Sequence, residues 1–220
     1  MCRFINADSI IDAGGILGYN MFAYCNNNPT NSIDSQGCRT YIINGINNPD
    51  STNAPKYAEN LKDELIKQGV ENVQTISVYN ETGVVSGTVK VVAEMLNCGQ
   101  YSEEVANYIL NDLANNPLAE GEELNLIGYS GGGQIVLNVC ELLEGKANVT
   151  NSVLIGAPVS ELTLNNTGKT ISIYAGFDPL SWNISWYPVT FKFAGWFGHL
   201  KYFNEKNIKK IARIIDNYIN

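Results

Sequence analysis

The sequence predicts an α/β fold, a three-layer sandwich in which a mostly parallel sheet carries helices on both faces. Three observations lead there. Five short runs of apolar and β-branched residues recur from Thr40 onward, and stretches with helical spacing of apolar residues separate them. One boundary between a run and a helical stretch is built of glycine around a single serine, "GYSGGG" at 128–133. Continuous apolar strands alternating with helices are what a parallel sheet buried on both faces requires.

The first run is "TYII" (40–43), bounded by Arg39 and Asn44. Residues 54–68 follow as a helix, with Tyr57, Leu61 and Leu65 four apart on one face. "VQTISVY" (73–79) is the second strand. Two helical patterns come next, 86–97 with Val89, Val92, Ala93 and Leu96, and 103–114 with Val105, Tyr108, Ile109 and Leu113. The third strand is "LNLI" (124–127), and a helix over 133–144 follows the serine. "SVLI" (152–155) and "TISIYA" (170–175) are the remaining strands, and a helix over 205–218 closes the chain. Each run is short and bounded by Gly, Asn or charged residues, which suits buried strands. There is no internal repeat.

Composition excludes several classes of function. The chain has 220 residues, 45% hydrophobic and 16% charged, enough for one globular domain with a sizeable core. Its net charge of −8, with no Lys/Arg cluster to offset it, disfavours nucleic acid as a partner. No apolar run is long enough for a transmembrane segment, so the fragment is expected to be soluble. "MCRFINADS" lacks the charged and apolar regions of a signal peptide, so any export relies on another part of a longer polypeptide. Cys2, Cys25, Cys38, Cys98 and Cys140 are odd in number and show no CxxC or Cys/His spacing. Neither a disulfide framework nor a metal site is expected.

The glycine-rich boundary is where chemistry is expected. Gly128-Tyr129-Ser130-Gly131-Gly132 is a G-x-S-x-G pentapeptide between a strand and a helix, the setting of a nucleophile elbow. So sharp a turn leaves no room for side chains two residues either side of the serine, and glycine stands there. A turn that merely packs tightly or cradles a phosphate is the alternative, although the Gly-Lys-Ser/Thr ending of a P-loop is missing. A serine hydroxyl needs a base, and His199 is the only histidine. It falls between the last strands and the final helix, where the base belongs in the order Ser, acid, His. Asp178, directly after the strand 170–175, is the candidate acid, and it also reads as an Asp-Pro turn starter. Glu161 is the alternative acid. For an oxyanion hole, the N–H of Gly131 is expected, joined by that of Ile46 in "INGINNPD" (43–50) beside Gly45. An ordinary Asn-Gly turn is the competing reading of that loop.

Residues 39–220 resemble the α/β-hydrolase family, and within it lipase-like serine esterases. The elbow at 128–132, "NG-I" at 44–46, "GAP" at 156–158, Asp178 and His199 carry the resemblance, with Asn44 where the family often has histidine. It implies an α/β-hydrolase-like sandwich, a Ser130–His199–Asp178 triad, an acyl-enzyme and no cofactor.

Residues 1–38 differ in character, being rich in Asn, Gly and Asp with scattered aromatics. "RFINADSI" (3–10), "GYNMFAYCNNNP" (18–29) and "NSIDSQG" (31–37) resemble the C-terminal end of the Rhs repeat-associated core. That family ends its β-repeat shell with Asp-Pro-x-Gly motifs linked to self-cleavage; here Ser9 and Ser35 replace the prolines. The resemblance implies that residues 39–220 are an effector, often a toxin in that family. It would be secreted or cell-surface delivered within a larger parent, with the Rhs shell and an immunity protein as partners. Without the family, 1–38 reads as an extended arm on a neighbouring surface.

All three tryptophans fall in "WNISWYPVTFKFAGWFG" (182–198), between the candidate acid and base. A hydrophobic flap suited to an acyl chain or lipid surface is one reading, and a strand pair or loop packed over the core is the other. The function expected is therefore hydrolysis of a small-molecule or lipid ester, against a non-catalytic binding or structural cargo with a relic elbow.

Overall fold

Among the described residues six strands lie in parallel in one sheet, in the order β2-β1-β3-β4-β5-β6. They are β1 (Cys38–Ile43), β2 (Val73–Ile76), β3 (Glu123–Tyr129), β4 (Val149–Ile155), β5 (Lys169–Ala175) and β6 (Thr190–Gly195). This computed structural model describes residues 38–45, 56–78, 91–94, 99–119, 121–158, 168–181 and 190–219. Of the expected arm 1–38, residues 1–37 lie outside the described residues and Cys38 is instead the first residue of β1. Ile46, Glu161, Trp182 and Trp186 also lie outside, as does most of the expected helix 86–97, of which 91–94 are helical.

Among the described residues, besides the helical stretch 91–94, four helices flank the sheet: α1 (Lys56–Gln68), α2 (Tyr101–Asn115), α3 (Gly131–Leu142) and α4 (Glu205–Ile219). Strand alternation sorts side chains onto two faces. Ile42, Ile127, Val153 and Ile173 pack with Leu61 and Leu65 of α1 and Ile211 and Ile215 of α4. Tyr41, Ile43, Leu126 and Leu154 pack on the other face with Ile109 of α2 and Ile135 and Val139 of α3. Both faces of β1, β3 and β4 are thus buried, which is why those strands read as unbroken apolar runs.

Local chemistry sets the element ends. α1 stops at Gly69, whose φ of +101° is costly for any other residue. Val70 N–H then donates to Leu65 O at 3.1 Å and Gly69 N–H to Ile66 O at 3.0 Å, a Schellman closure sealed by the buried Val70 and Leu65. α2 starts two residues earlier than its apolar spacing suggests. Buried Glu94 accepts from Tyr101 N–H at 2.9 Å and from the Ser102 hydroxyl, capping the helix with negative charge.

β1, β3 and β4 run longer than their expected cores 40–43, 124–127 and 152–155, and two strands depart further. β2 ends at Ile76, paired with the last residue of β1, Ile43, and the N–H of Asn44 closes the ladder on Ile76 O at 3.4 Å. The next available N–H, on Val78, donates instead to Asn44 Oδ1 at 2.7 Å. β6 is a strand within the aromatic segment 182–198. It is an edge strand, exposed along Phe191, Lys192 and Phe193, so it lacks the buried signature of the others. Among the described residues no helix is long and apolar enough to cross a membrane.

The order of the strands positions the site. From β1 the chain moves to one side for β2 and returns to the other for β3. The carboxyl ends of β1 and β3 therefore face a topological switch point, where α/β sheets leave a crevice. The pairing Ile43↔Gly128 brings Asn44-Gly45 alongside Tyr129-Ser130.

Candidate active site

At the end of β3 the backbone turns into α3 through one residue. Ser130 has φ 53° and ψ −125°, a region a non-glycine residue enters only when its surroundings hold it there. Its N–H donates to Ile155 O at 2.9 Å, and its carbonyl accepts from Gly133 N–H at 3.0 Å. The glycines are explained by space. A Cβ on Gly128 would meet Gly132 O at 2.3 Å, and one on Gly132 would meet Ile43 O and Asn44 O at 2.5 Å. A Cβ on Gly133 would meet Ala157 Cβ at 2.3 Å, so the third glycine of the run seats α3 against "GAP".

Three sequence-expected side chains come together here. His199 Nε2 lies 2.9 Å from Ser130 Oγ, and His199 Nδ1 lies 3.0 Å from Asp178 Oδ2. A carboxylate can only accept, so Nδ1 carries the proton to Asp178 and Nε2 accepts from the serine hydroxyl. The three come from the ends of β3, β5 and a 3₁₀ turn (His199–Lys201) after β6. Such a relay can draw a proton off a hydroxyl and stabilise the imidazolium that results.

Asp178 is fully buried and held from several sides. Its Oδ1 accepts from Leu180 N–H at 3.1 Å, and its main-chain carbonyl accepts from the Ser181 hydroxyl at 2.8 Å. The Asp-Pro turn expected of this pair is also present, because Pro179–Ser181 form a 3₁₀ turn. Burial pushes the carboxyl upward, but the hydrogen bond and charge of His199, then Tyr202 and Leu180 N–H, outweigh it and hold it below its ordinary value.

Two tyrosines that sequence reasoning left unassigned belong to this cluster. Tyr202, fully buried, donates its hydroxyl to Asp178 Oδ2 at 2.9 Å, the same oxygen His199 binds. Tyr129, inside the pentapeptide, lies flat against the His199 ring, with centroids 5.2 Å apart and planes 18° from parallel. Its hydroxyl donates to His199 O at 2.9 Å, so it holds both the ring and the backbone of the histidine. Burial holds both phenols well above their usual value, so both stay donors at neutral pH. The available signals were the spacing of Tyr202, three residues after the sole histidine, and the place of Tyr129 in the motif. Neither marks a role without the fold. Gly156 belongs here too: at φ +53°, a Cβ would meet Tyr202 Cε2 at 2.7 Å and Asp178 Oδ2 at 3.0 Å.

On the other side of Ser130, a Cβ on Gly45 would meet Ser130 Cβ and Tyr129 O, each at 2.8 Å. Asn44 is buried beside it, its Nδ2 without a hydrogen-bond partner among the described residues. Gly131 is the first residue of α3, where helix N–H groups have no acceptor within the helix and the dipole is positive. Ile46 and Glu161 lie outside the described residues. Among the described residues no group of three His, Cys, Asp or Glu side chains could hold a metal ion.

No protein-family model matches the sequence, and no curated protein does. Solved structures do match. An uncharacterized protein from Bacillus cereus ATCC 10987 is 15% identical over 86% of this chain, with a TM-score of 0.55. This chain covers 62% of that protein's length. A predicted CIB-like hydrolase from Thermoplasma acidophilum is 16% identical, covering 86% of this chain and 88% of that one, with a TM-score of 0.51. The RedJ thioesterase of the prodiginine pathway in Streptomyces coelicolor is 11% identical, covering 82% and 85%, with a TM-score of 0.50. At these identities the likeness is one of fold. The parallel sheet, the flanking helices and these matches make this an α/β-hydrolase-like three-layer sandwich.

Proposed function

We propose that the chain is a serine hydrolase of carboxylic esters. One observation carries the reading: an unbroken hydrogen-bond chain, 2.9 Å then 3.0 Å, from Ser130 Oγ through His199 to buried Asp178, on a serine with φ 53°. In this reading Ser130 Oγ attacks the ester carbonyl while its proton passes to His199 Nε2. The Asp178 carboxylate stabilises the imidazolium and keeps its own charge. Negative charge developing on the carbonyl oxygen is met by the N–H of Gly131 and, from the loop after Gly45, that of Ile46. Each such donor is typically worth about 10²–10³ in turnover. The imidazolium returns its proton to the departing alkoxide, the C–O bond breaks, and an acyl-serine remains. Water, deprotonated by His199, releases the acid and restores the hydroxyl. The chemistry calls for no cofactor.

The biological setting proposed rests on the sequence of residues 1–38 alone. We infer an Rhs-type parent in which residues 39–220 form the effector, delivered outside the producing cell. The shell of that parent and an immunity protein would be its partners.

A fluorophosphonate probe tests the chemistry. Wild-type protein is expected to label on Ser130, and Ser130→Ala not at all. Failure of the wild type to label under conditions that label a control serine hydrolase would overturn the reading.

A further inference from the structure

The loops that present the acid and the base also carry the most exposed large apolar side chains near the site. Phe177 precedes Asp178 and is 65% exposed, Leu180 follows at 45%, Trp196 precedes His199 by three residues at 71%, and Leu200 follows at 75%. Phe177 and Trp196 are in ring contact at 5.5 Å, and Trp196 also touches Phe193 at 5.3 Å. They form one continuous aromatic strip at the carboxyl ends of β5 and β6, the edge on which Ser130 lies. Side chains this open do not line a closed pocket. Single exposed apolar residues are ordinary, but a contiguous patch around a reactive site marks a surface that binds something.

Charge identifies the occupant. Contrary to the expectation of no Lys/Arg cluster, residues 190–219 hold six of the 14 Lys and Arg against only Glu205 and Asp216, so this segment carries +4 in a chain of −8. The remaining residues therefore carry −12. All six cations are exposed, and Lys201 adjoins Leu200 at the rim. Lys209 pairs with Glu205 at 3.5 Å and Lys210 donates to Ala194 O at 2.7 Å, which leaves Lys201 and Lys206 nearest the start of α4 to meet an outside partner. Apolar side chains flanked by cations on an otherwise anionic molecule complement a lipid bilayer with anionic headgroups.

We propose that this rim docks on an anionic lipid surface, with Phe177, Leu180, Trp196 and Leu200 entering the headgroup layer and Lys201 and Lys206 engaging the charge. Docking would place the sheet edge that carries Ser130 on the bilayer side. The further step, that the ester hydrolysed is a lipid of that surface, rests on the hydrolase reading above.

The test uses the full chain carrying Ser130→Ala, so that binding is read without hydrolysis. Co-sedimentation is measured with phosphatidylcholine vesicles, with and without phosphatidylglycerol. Binding is expected to be at least about tenfold tighter with phosphatidylglycerol and to weaken with salt. Trp196→Ser with Leu200→Ser should abolish it, with thermal unfolding as the control for folding. Lys201→Ala and Lys206→Ala should each weaken it about fivefold. No binding to phosphatidylglycerol vesicles, equal binding to both vesicles, or binding that survives the double apolar substitution in folded protein would overturn the proposal. So would loss of a dimer, in place of loss of vesicle binding, when the apolar pair is replaced, since the patch would then serve a second copy. Fluorophosphonate labelling of the wild type separates this outcome from failure of the hydrolase reading.

Discussion

Gly45→Ala adds one methyl group at the place where the loop after β1 meets the nucleophile. The new Cβ would stand 2.8 Å from Ser130 Cβ and 2.8 Å from Tyr129 O. Carbon atoms rest at about 3.5–4.0 Å, so roughly 1 Å must be found. The backbone of Gly45 is not in the left-handed region, so alanine suits its conformation and the whole effect is one of space. Ser130 has little freedom, tied by its N–H to Ile155 O at 2.9 Å and by its carbonyl to Gly133 N–H at 3.0 Å. If Ser130 yields, its 2.9 Å contact with His199 Nε2 is lost, and a misplacement of about 1 Å costs on the order of 100-fold. If the loop yields instead, the neighbouring N–H proposed for the oxyanion moves, at about 10²–10³ in turnover. Either route lowers kcat by about 100-fold with little change in KM, because both interactions belong to the transition state. Overpacking at one site costs about 1–3 kcal/mol, so the protein should remain folded. The assay is steady-state hydrolysis of a short, water-soluble p-nitrophenyl ester, with urea unfolding alongside. A folded variant whose kcat stays within about threefold of wild type would refute the argument that this contact sets the nucleophile's position.

Further predictions concern the acid and its supports. Asp178→Asn is expected to lower ester turnover by about 10⁴-fold and Glu161→Gln to leave it close to wild type, and the reverse ranking would move the acid role. Tyr202→Phe removes one donor from Asp178 Oδ2 while keeping the ring, and should cost about 1.5–3 kcal/mol in urea unfolding, as for a hydrogen bond to a charged group. It should also raise the pH at which Asp178 protonates, a change that a purely packing role for Tyr202 would not produce. The sign for Asp178 itself follows from its lowered folded value. Its ionised form stabilises the native state above the ordinary carboxyl value of 3.8, and that contribution is lost as pH falls through the lower folded value. The stability gap between wild type and Asp178→Asn should therefore be flat near neutral pH and close only below about 3.8, measured by denaturant titration across pH. In the Tyr202→Phe background the gap should be smaller near neutral pH and should finish closing at a higher pH, because the folded value then lies nearer 3.8.

Amino-acid order alone determined the elements whose signal is local. β1, β3, β4 and β5 were legible because parallel strands buried on both faces are apolar at nearly every position. The pentapeptide around Ser130 was legible because a one-residue turn into a helix excludes side chains within a few residues, and glycine records that exclusion. β6 is legible only as a flap, a strand pair or a loop, because an edge strand, with Phe191 and Phe193 exposed on either side of Lys192, carries no burial signature. The end of β2 depended on where β1 stops, which is a property of the neighbour. Only the tertiary structure decided strand order, and with it the switch point that sets Gly45 against Ser130. It alone brought His199 to Ser130 across 69 residues and Tyr202 to Asp178 across 24, and laid the Tyr129 ring on the imidazole. Hydrogen bonds and ring contacts act over a few ångströms in space, and separation along the chain carries no record of them. Strand pairing and helix packing create those distances, so the roles of Tyr129, Tyr202 and Gly156 came into view only in the folded molecule.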